Sequence, residues 1–178
     1  MGARVMNVVI AGLGGQGVLK ASDILADAAL RAGLDVKKAE VHGMSQRGGS
    51  VTSDVRFGEK VLSPMVPRGE ADFLVVLSPS EVEVTRPLLA AGGVLIGPDL
   101  VPEGRLKNRK SLNVALLGAL SHHLAFPPGV LLAAVKAALP ERLHAVNEQA
   151  FELGRAAAAA SNPPSPAGGE GQGEGAAP

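Results

Sequence analysis

The chain has no cysteine, no tryptophan and no tyrosine among its 178 residues. Without cysteine it forms no disulfide, offers no thiolate nucleophile and cannot ligate an iron–sulfur cluster through its own sulfurs. Aromatic residues make up 2%, which excludes a surface that stacks nucleobases on rings and leaves the core to aliphatic side chains. Net charge is also missing, with 17 basic residues balancing 17 acidic ones. That balance argues against nucleic acid or a membrane surface as a partner. The one basic cluster, RLKNRK from Arg105 to Lys110, reads as a solvated loop. No apolar run approaches the roughly 20 residues of a membrane span, and no charged leader runs into an apolar segment of signal-peptide type. A cytoplasmic protein is expected.

What is present is enough apolar material for one ordinary domain: 46% hydrophobic against 19% charged residues. Val5 to Ala11 is almost all apolar, as in a central strand buried on both faces. Gly12 to Gly17 forms a turn, and Gln16 to Ala32 carries a helical apolar stripe through Val18, Leu19, Ile24, Leu25, Ala28 and Ala29. Gly33 stands where a helix C-cap favours glycine. Leu34 to Val41 reads as a second strand, so the chain opens with a βαβ unit. The polar stretch HGMSQRGGS, His42 to Ser50, is a loop. Val51, Ser53, Val55 and Phe57 then alternate with polar residues, and a turn at Gly58 and Glu59 predicts a short return strand over Lys60 to Leu62.

Phe73 to Leu77 is a further buried strand, followed by a helix capped by Ser78 or Ser80 and reaching about Ala91. Val94 to Ile96 is a short strand. Helices are expected over Asn113 to Leu124, Pro128 to Leu139 and Pro140 to Ala160. These elements describe an α/β fold: a Rossmann-like three-layer domain with a mainly parallel sheet, an inserted β-hairpin and C-terminal helices. The domain spans 1–160. The tail 161–178, SNPPSPAGGEGQGEGAAP, is rich in proline and glycine and holds no large apolar residue, so disorder is expected there.

Gly12, Gly14 and Gly17 satisfy G-x-G-x-x-G between a strand and a helix. Such glycines allow a tight turn, a close approach to the backbone, and close packing of helix on strand. A helix N-terminus adds unpaired N–H groups that favour an anion. An acid near the end of the second strand, here Glu40, completes the pattern of an NAD or FAD site. Alternatively the glycines serve packing, another phosphate ligand, or a partner chain. The polar loop after Glu40 speaks against the dinucleotide, and Arg47, set between Gln46 and two glycines, suits a phosphate or carboxylate.

The catalytic inventory is otherwise thin. His42, His122, His123 and His144 lack metal-ligand spacing, and the adjacent pair His122 and His123 reads as surface or capping residues. There is no G-x-S-x-G, H-E-x-x-H or Walker lysine pattern. The chain reads as a binding domain or a subunit rather than a complete enzyme.

The pairing of GLGGQGV, Gly12 to Val18, with HGMSQRGGSV, His42 to Val51, resembles the small, gamma-type subunit of 2-oxoacid:ferredoxin oxidoreductases. Within that family it is most similar to the beta subunit of the indolepyruvate type. NEQAFELG, Asn147 to Gly154, is similar to that family's closing helix, and the resemblance runs over about residues 5 to 160. It implies oxidative decarboxylation of a 2-oxoacid to an acyl-CoA, with electrons passed to ferredoxin. Thiamine diphosphate, Mg2+ and iron–sulfur clusters are then expected on a large alpha subunit, with coenzyme A as co-substrate and a heterodimer or a dimer of heterodimers as the assembly. Gly12, Gly14, Gly15, Gln16 and Gly17 would face the partner, or the coenzyme A or substrate side of a shared site. Ser45, Gln46, Arg47, Gly48 and Gly49 would form its second wall. No residue of the chain is expected to be a proton donor or nucleophile. A free-standing NAD- or FAD-binding protein, a non-catalytic partner domain, and a gamma subunit for pyruvate or another 2-oxoacid remain as alternatives.

Overall fold

The computed structural model describes residues 4–43, 48–102 and 104–161. Its centre is β1 (Met6–Leu13), where Val8, Val9, Ile10 and Ala11 are all buried. A strand apolar on both faces needs cover on both, and β1 has it as the middle strand of five. The sheet order is β2-β3-β1-β4-β5, with β2 spanning Asp35–His42, β3 Ser50–Gly58, β4 Ala71–Val76 and β5 Leu89–Ile96. β3 is antiparallel to both β1 and β2, while β1, β4 and β5 pair in parallel. Four of the five strands therefore point the same way.

α1 (Val18–Arg31) buries Val18, Ala21, Ser22, Ile24, Leu25, Ala28 and Ala29 along one stripe. It ends in a left-handed Gly33 at φ 80°, with Leu34 N–H donating to Ala29 O and Gly33 N–H to Leu30 O. This is a Schellman closure, as the glycine predicts. β1, α1 and β2 do form a βαβ unit, but β3 lies between the two parallel strands. The inserted hairpin is thus β2 with β3. The predicted return strand at Lys60 to Leu62 does not form, because both edges of β3 are already occupied. Side chains hold that segment instead: Asp35 accepts from Val61 N–H and Asp54 from Val66 N–H, each at 2.8 Å, and Arg56 donates to the carbonyls of Ser63 and Met65.

Four helices share one face of the sheet. α1 lies there with α3 (Leu112–Ser121), α4 (Pro128–Ala138) and α5 (His144–Ser161), around Val8, Ile10, Val55, Phe73 and Val75. α3 is buried from Asn113 to Ser121 on every side, as an all-round apolar helix must be. The other face, with Val9, Leu74 and Val76 and with Leu95 of β5 beside them, is covered by Val66, Val82 and Leu88. Val82 belongs to α2 (Pro79–Thr85), which stops well short of the predicted Ala91. Pro87 has no N–H to extend the ladder, and Leu89 already pairs with Ala71 as the first residue of β5. Ser161 ends α5 inside the segment expected as tail, and the remainder of that tail lies outside the described residues. None of the described helices is long and apolar enough to cross a membrane.

Candidate functional site

The chain leaves β1 for α1 on one face of the sheet and leaves β4 for α2 on the other. The carboxyl ends of these neighbouring parallel strands form a topological switch point, where open α/β sheets place their ligands. Leu77 N–H donates to Ala11 O at 2.8 Å there, so the two exits stand side by side. The glycine turn occupies this point, with Gly14, Gly15 and Gln16 exposed.

Each residue of the turn has an observable reason for being there. A Cβ on Gly12 would stand 3.0 Å from both Leu77 Cβ and Val18 Cγ2, so strand and helix close over it. Gln16 Oε1 accepts from Leu13 N–H at 2.7 Å, which fastens the turn from inside. Gly17 has φ 86° and precedes α1, and a Cβ on it would meet Asn113 Nδ2 at 2.6 Å. Asn113 Nδ2 in turn donates to Gly17 O, tying α3 to the turn across 96 positions of sequence.

Gly14 gives the decisive geometry. Its N–H donates to Gly49 O at 2.9 Å, and a Cβ on it would lie 3.5 Å from Gly48 N. The backbone that approaches the second glycine is the chain's own HGMSQRGGSV loop. In a dinucleotide site that N–H and that open face belong to a pyrophosphate. Glu40 is also misplaced for a ribose, since β3 puts β2 two strand spacings, about 10 Å, from β1. Glu40 is engaged locally: it pairs with Lys38 at 2.7 Å and lies 3.7 Å from His42. Burial pulls the Lys38 ammonium down, but hydrogen bonds to Asp23 and Glu40 outweigh it and hold its pKa above the ordinary 10.5.

The loop is anchored at its base. Gly43 N–H donates to Ser50 O at 2.7 Å, and Ser50 Oγ donates to Glu81 Oε2 at 2.6 Å. Glu81 is a buried carboxylate on α2, 7% exposed, and it brings the Ser78 and Ser80 edge against the same loop. Of the site residues expected from sequence, Gly12, Gly14, Gly15, Gln16, Gly17, Gly48 and Gly49 are thus brought together. Ser45, Gln46 and Arg47 lie outside the described residues.

Two cavities open at this edge and share Leu77, Arg109 and Leu112. One, of about 890 Å³, is mainly apolar, with Val82, Leu95, Val101 and Leu106 in its wall. The other, of about 710 Å³, runs from Gly15–Gly17 to Lys20, Arg109 and Lys110. Sequence reading assigned the Arg105–Lys110 cluster to solvent and so missed Arg109 and Lys110 as lining residues. A local signal existed: Asn108 caps the turn before α3, its Oδ1 accepting from Lys110 N–H at 3.0 Å, which fixes the basic pair at a helix start. His122 and His123 follow the end of α3. His123 packs on Phe73 with centroids 5.6 Å apart, and burial, helped by the neighbouring His122, lowers its pKa below 6.5.

Fold and edge together define a doubly wound α/β domain whose switch point is built from a glycine turn and a tethered glycine loop. The profile for pyruvate ferredoxin/flavodoxin oxidoreductase matches residues 7–102. The indolepyruvate oxidoreductase subunit IorB of Thermococcus kodakarensis is 38% identical over 194 aligned residues, covering 85% of this chain and 95% of that protein. The chain belongs to the pyruvate ferredoxin/flavodoxin oxidoreductase family and is a subunit of such an oxidoreductase. Its fold is that of the keto/oxoacid ferredoxin oxidoreductase gamma subunit from Geobacter sulfurreducens, at TM-score 0.75 and 22% identity over 89% of this chain and 98% of the other. A 2-oxoglutarate:ferredoxin oxidoreductase from Magnetococcus marinus, solved with 2-oxoglutarate, coenzyme A and succinyl-CoA bound, contains the same fold at TM-score 0.75 and 24% identity, over 88% of this chain and 31% of that one.

Proposed function

We propose that the chain is the small subunit of an indolepyruvate:ferredoxin oxidoreductase, which converts an aryl pyruvate and coenzyme A to carbon dioxide and the acyl-CoA while two electrons pass to ferredoxin. The observation that carries this reading is the Gly14 to Gly49 hydrogen bond, which joins the two motifs of the family resemblance into one surface. The identity to an indolepyruvate oxidoreductase subunit favours aryl pyruvates over pyruvate or 2-oxoglutarate. Thiamine diphosphate with Mg2+ on a large alpha subunit supplies the decarboxylation, and iron–sulfur clusters there carry the electrons. This chain, with no cysteine, offers no thiolate to such clusters. Its domain is residues 1–160, and its place of work is the cytoplasm.

The role of this chain is to shape and orient. Gly12, Gly14, Gly15 and Gly17 keep the turn flat enough for close approach, and Gln16 offers its amide beside them. Ser45, Gln46, Arg47, Gly48 and Gly49 present the opposing wall, with Arg47 as the cation for a carboxylate or phosphate of the acyl acceptor. The test is a mild affinity purification of the tagged chain from its own cells, with thiamine and iron assayed in the eluate. A large partner carrying both, and indolepyruvate-dependent reduction of ferredoxin, is the expected result. A lone chain with neither cofactor refutes the reading. In the purified complex, Arg47→Ala should weaken turnover or coenzyme A affinity without dispersing the subunits, and unchanged kinetics would remove Arg47 from the site.

A further inference from the structure

We propose that Glu81 is a positioning residue, which sets where the glycine loop stands against the glycine turn by holding Ser50 from the α2 side. The consequence for catalysis rests on the proposed oxidoreductase role of that loop; the placement of the loop rests on geometry alone. Three hydrogen bonds converge on two consecutive residues, Gly49 and Ser50. Gly14 N–H donates to Gly49 O at 2.9 Å, Gly43 N–H to Ser50 O at 2.7 Å, and Ser50 Oγ to Glu81 Oε2 at 2.6 Å. The first two join main chain to main chain. The third depends on which residues stand at 50 and 81. It also comes from the opposite layer, since Gly14 leads into α1 on one face of the sheet and Glu81 belongs to α2 on the other.

Packing does not fix the loop instead. Gly48 and Gly49 have no side chain to seat, and nothing lies within 4 Å of a would-be Cβ on Gly48. Glycine backbone without such contacts has many accessible conformations, so hydrogen bonds decide its place. The distance from Ser50 to Glu81 is that of an O–H···O⁻ bond, a class about twice as strong as its neutral counterpart. A carboxylate is also a poor choice for stability alone. Glu81 is 7% exposed, and no Lys, Arg or His pairs with it among the described residues. Burial of a carboxylate without a cation is unfavourable. An apolar residue would hold α2 on the sheet without that cost, as Val82 does one position on. Departures of this kind mark functional sites, and the group that Glu81 serves lies at the base of the loop itself.

The experiment compares Ser50→Ala, Glu81→Met and their double variant, which removes donor and acceptor together and strands neither. Ser50→Thr restores the hydroxyl, and Val84→Ala alters an exposed position of the same helix. The first readout is amide hydrogen exchange at Gly14 in the full chain, beside its Tm. Exchange should quicken about tenfold in both single variants and no further in the double one, while the double variant keeps or raises its Tm. Ser50→Thr and Val84→Ala should match the wild type. The second readout is kinetic, in the purified complex. KM for coenzyme A should rise about tenfold or more in the same three variants while KM for ferredoxin holds, because a displaced wall misplaces what it meets. Wild-type exchange in Glu81→Met overturns the proposal. So does a double variant that loses Tm and kcat together with KM for coenzyme A unchanged, which makes Glu81 a structural prop. Failure to recover an oxidoreductase complex refutes the proposed function instead, and exchange at Gly14 still decides whether Glu81 places the loop.

Discussion

Replacing Gly154 by alanine drives a methyl group into the backbone of the facing helix. A Cβ at residue 154 would stand 1.7 Å from the carbonyl oxygen of Ala115 and 2.6 Å from its carbon. The contact is nearly reciprocal, since a Cβ at Gly118 would stand 2.0 Å from Phe151 O. Carbon and oxygen rest at about 3.3 Å, so α3 and α5 would have to part by about 1.5 Å. That motion is not local, because α3 is buried on all sides and Leu116, Leu117, Leu120 and Phe151 are fully packed around it. Overpacking costs about 1–3 kcal/mol, and a clash with a main-chain carbonyl belongs at the top of that range or above. Alanine returns about 1 kcal/mol of helix propensity, so the expected net loss is about 2–3 kcal/mol. For a chain of this length that is a fall in Tm of about 4–12 °C. Thermal and urea unfolding measure it, with Gly129→Ala as the control. Gly129 is also helical, in α4, and nothing lies within 4 Å of its would-be Cβ, so that variant should hold or gain up to about 1 kcal/mol. Equal stability of Gly154→Ala and wild type, or equal losses at both glycines, would refute the argument from helix contact.

Three further outcomes are expected. Gly17→Ala combines a φ of 86° with a 2.6 Å contact to Asn113 Nδ2, for a loss of about 2 kcal/mol or more; adding Asn113→Ala should recover part of it, and strict additivity in a double-mutant cycle would contradict the contact. His123 has its pKa lowered chiefly by burial, so the folded state resists protonation. Stability is then full above the ordinary 6.5 and declines as pH falls toward the lowered value, and His123→Phe should flatten a urea titration over that window. Asp54 has its carboxyl raised by burial against the opposing effects of the Val66 N–H and Arg56. Its contribution is therefore favourable below the ordinary 3.8 and is lost as pH rises through the raised value. At neutral pH Asp54→Asn should be neutral or stabilising, whereas Asp54→Ala leaves Val66 N–H without its acceptor at a cost of about 1–3 kcal/mol in urea unfolding.

Local pattern carries much of this fold. The apolar run at Val8–Ala11, the stripe of α1 and the Gly33 closure each follow from neighbouring residues, and each stands where the sequence puts it. Pairing does not follow in the same way. The alternation in Val51 to Phe57 marks a strand, but its insertion between β1 and β2 depends on edges that no local window contains. The α2 boundary fails for a similar reason, since a helix capped by Ser78 or Ser80 and reaching about Ala91 ignores the claim that β4 makes on Leu89. At the site, the glycine turn and the glycine loop are legible as motifs, and their hydrogen bond confirms that they meet. Asn113 and Glu81 are not legible, because each acquires its neighbour from about 30 to 100 positions away and only the folded sheet edge supplies it.

The two outermost strands decide how the protein can be joined to anything else. β2 is an edge strand carrying Asp35, Lys37, Lys38 and Glu40, and charged edges resist the addition of a further strand. The opposite edge, β5, breaks its register against β4 between Ala71 and Phe73 and contains a left-handed Gly92, an irregularity that blunts an edge in the same sense. The sheet is therefore closed to extension at both ends by its own side chains and backbone. Association of this subunit with other chains falls to loops and packed faces, and an intersubunit sheet running through β2 or β5 is disfavoured.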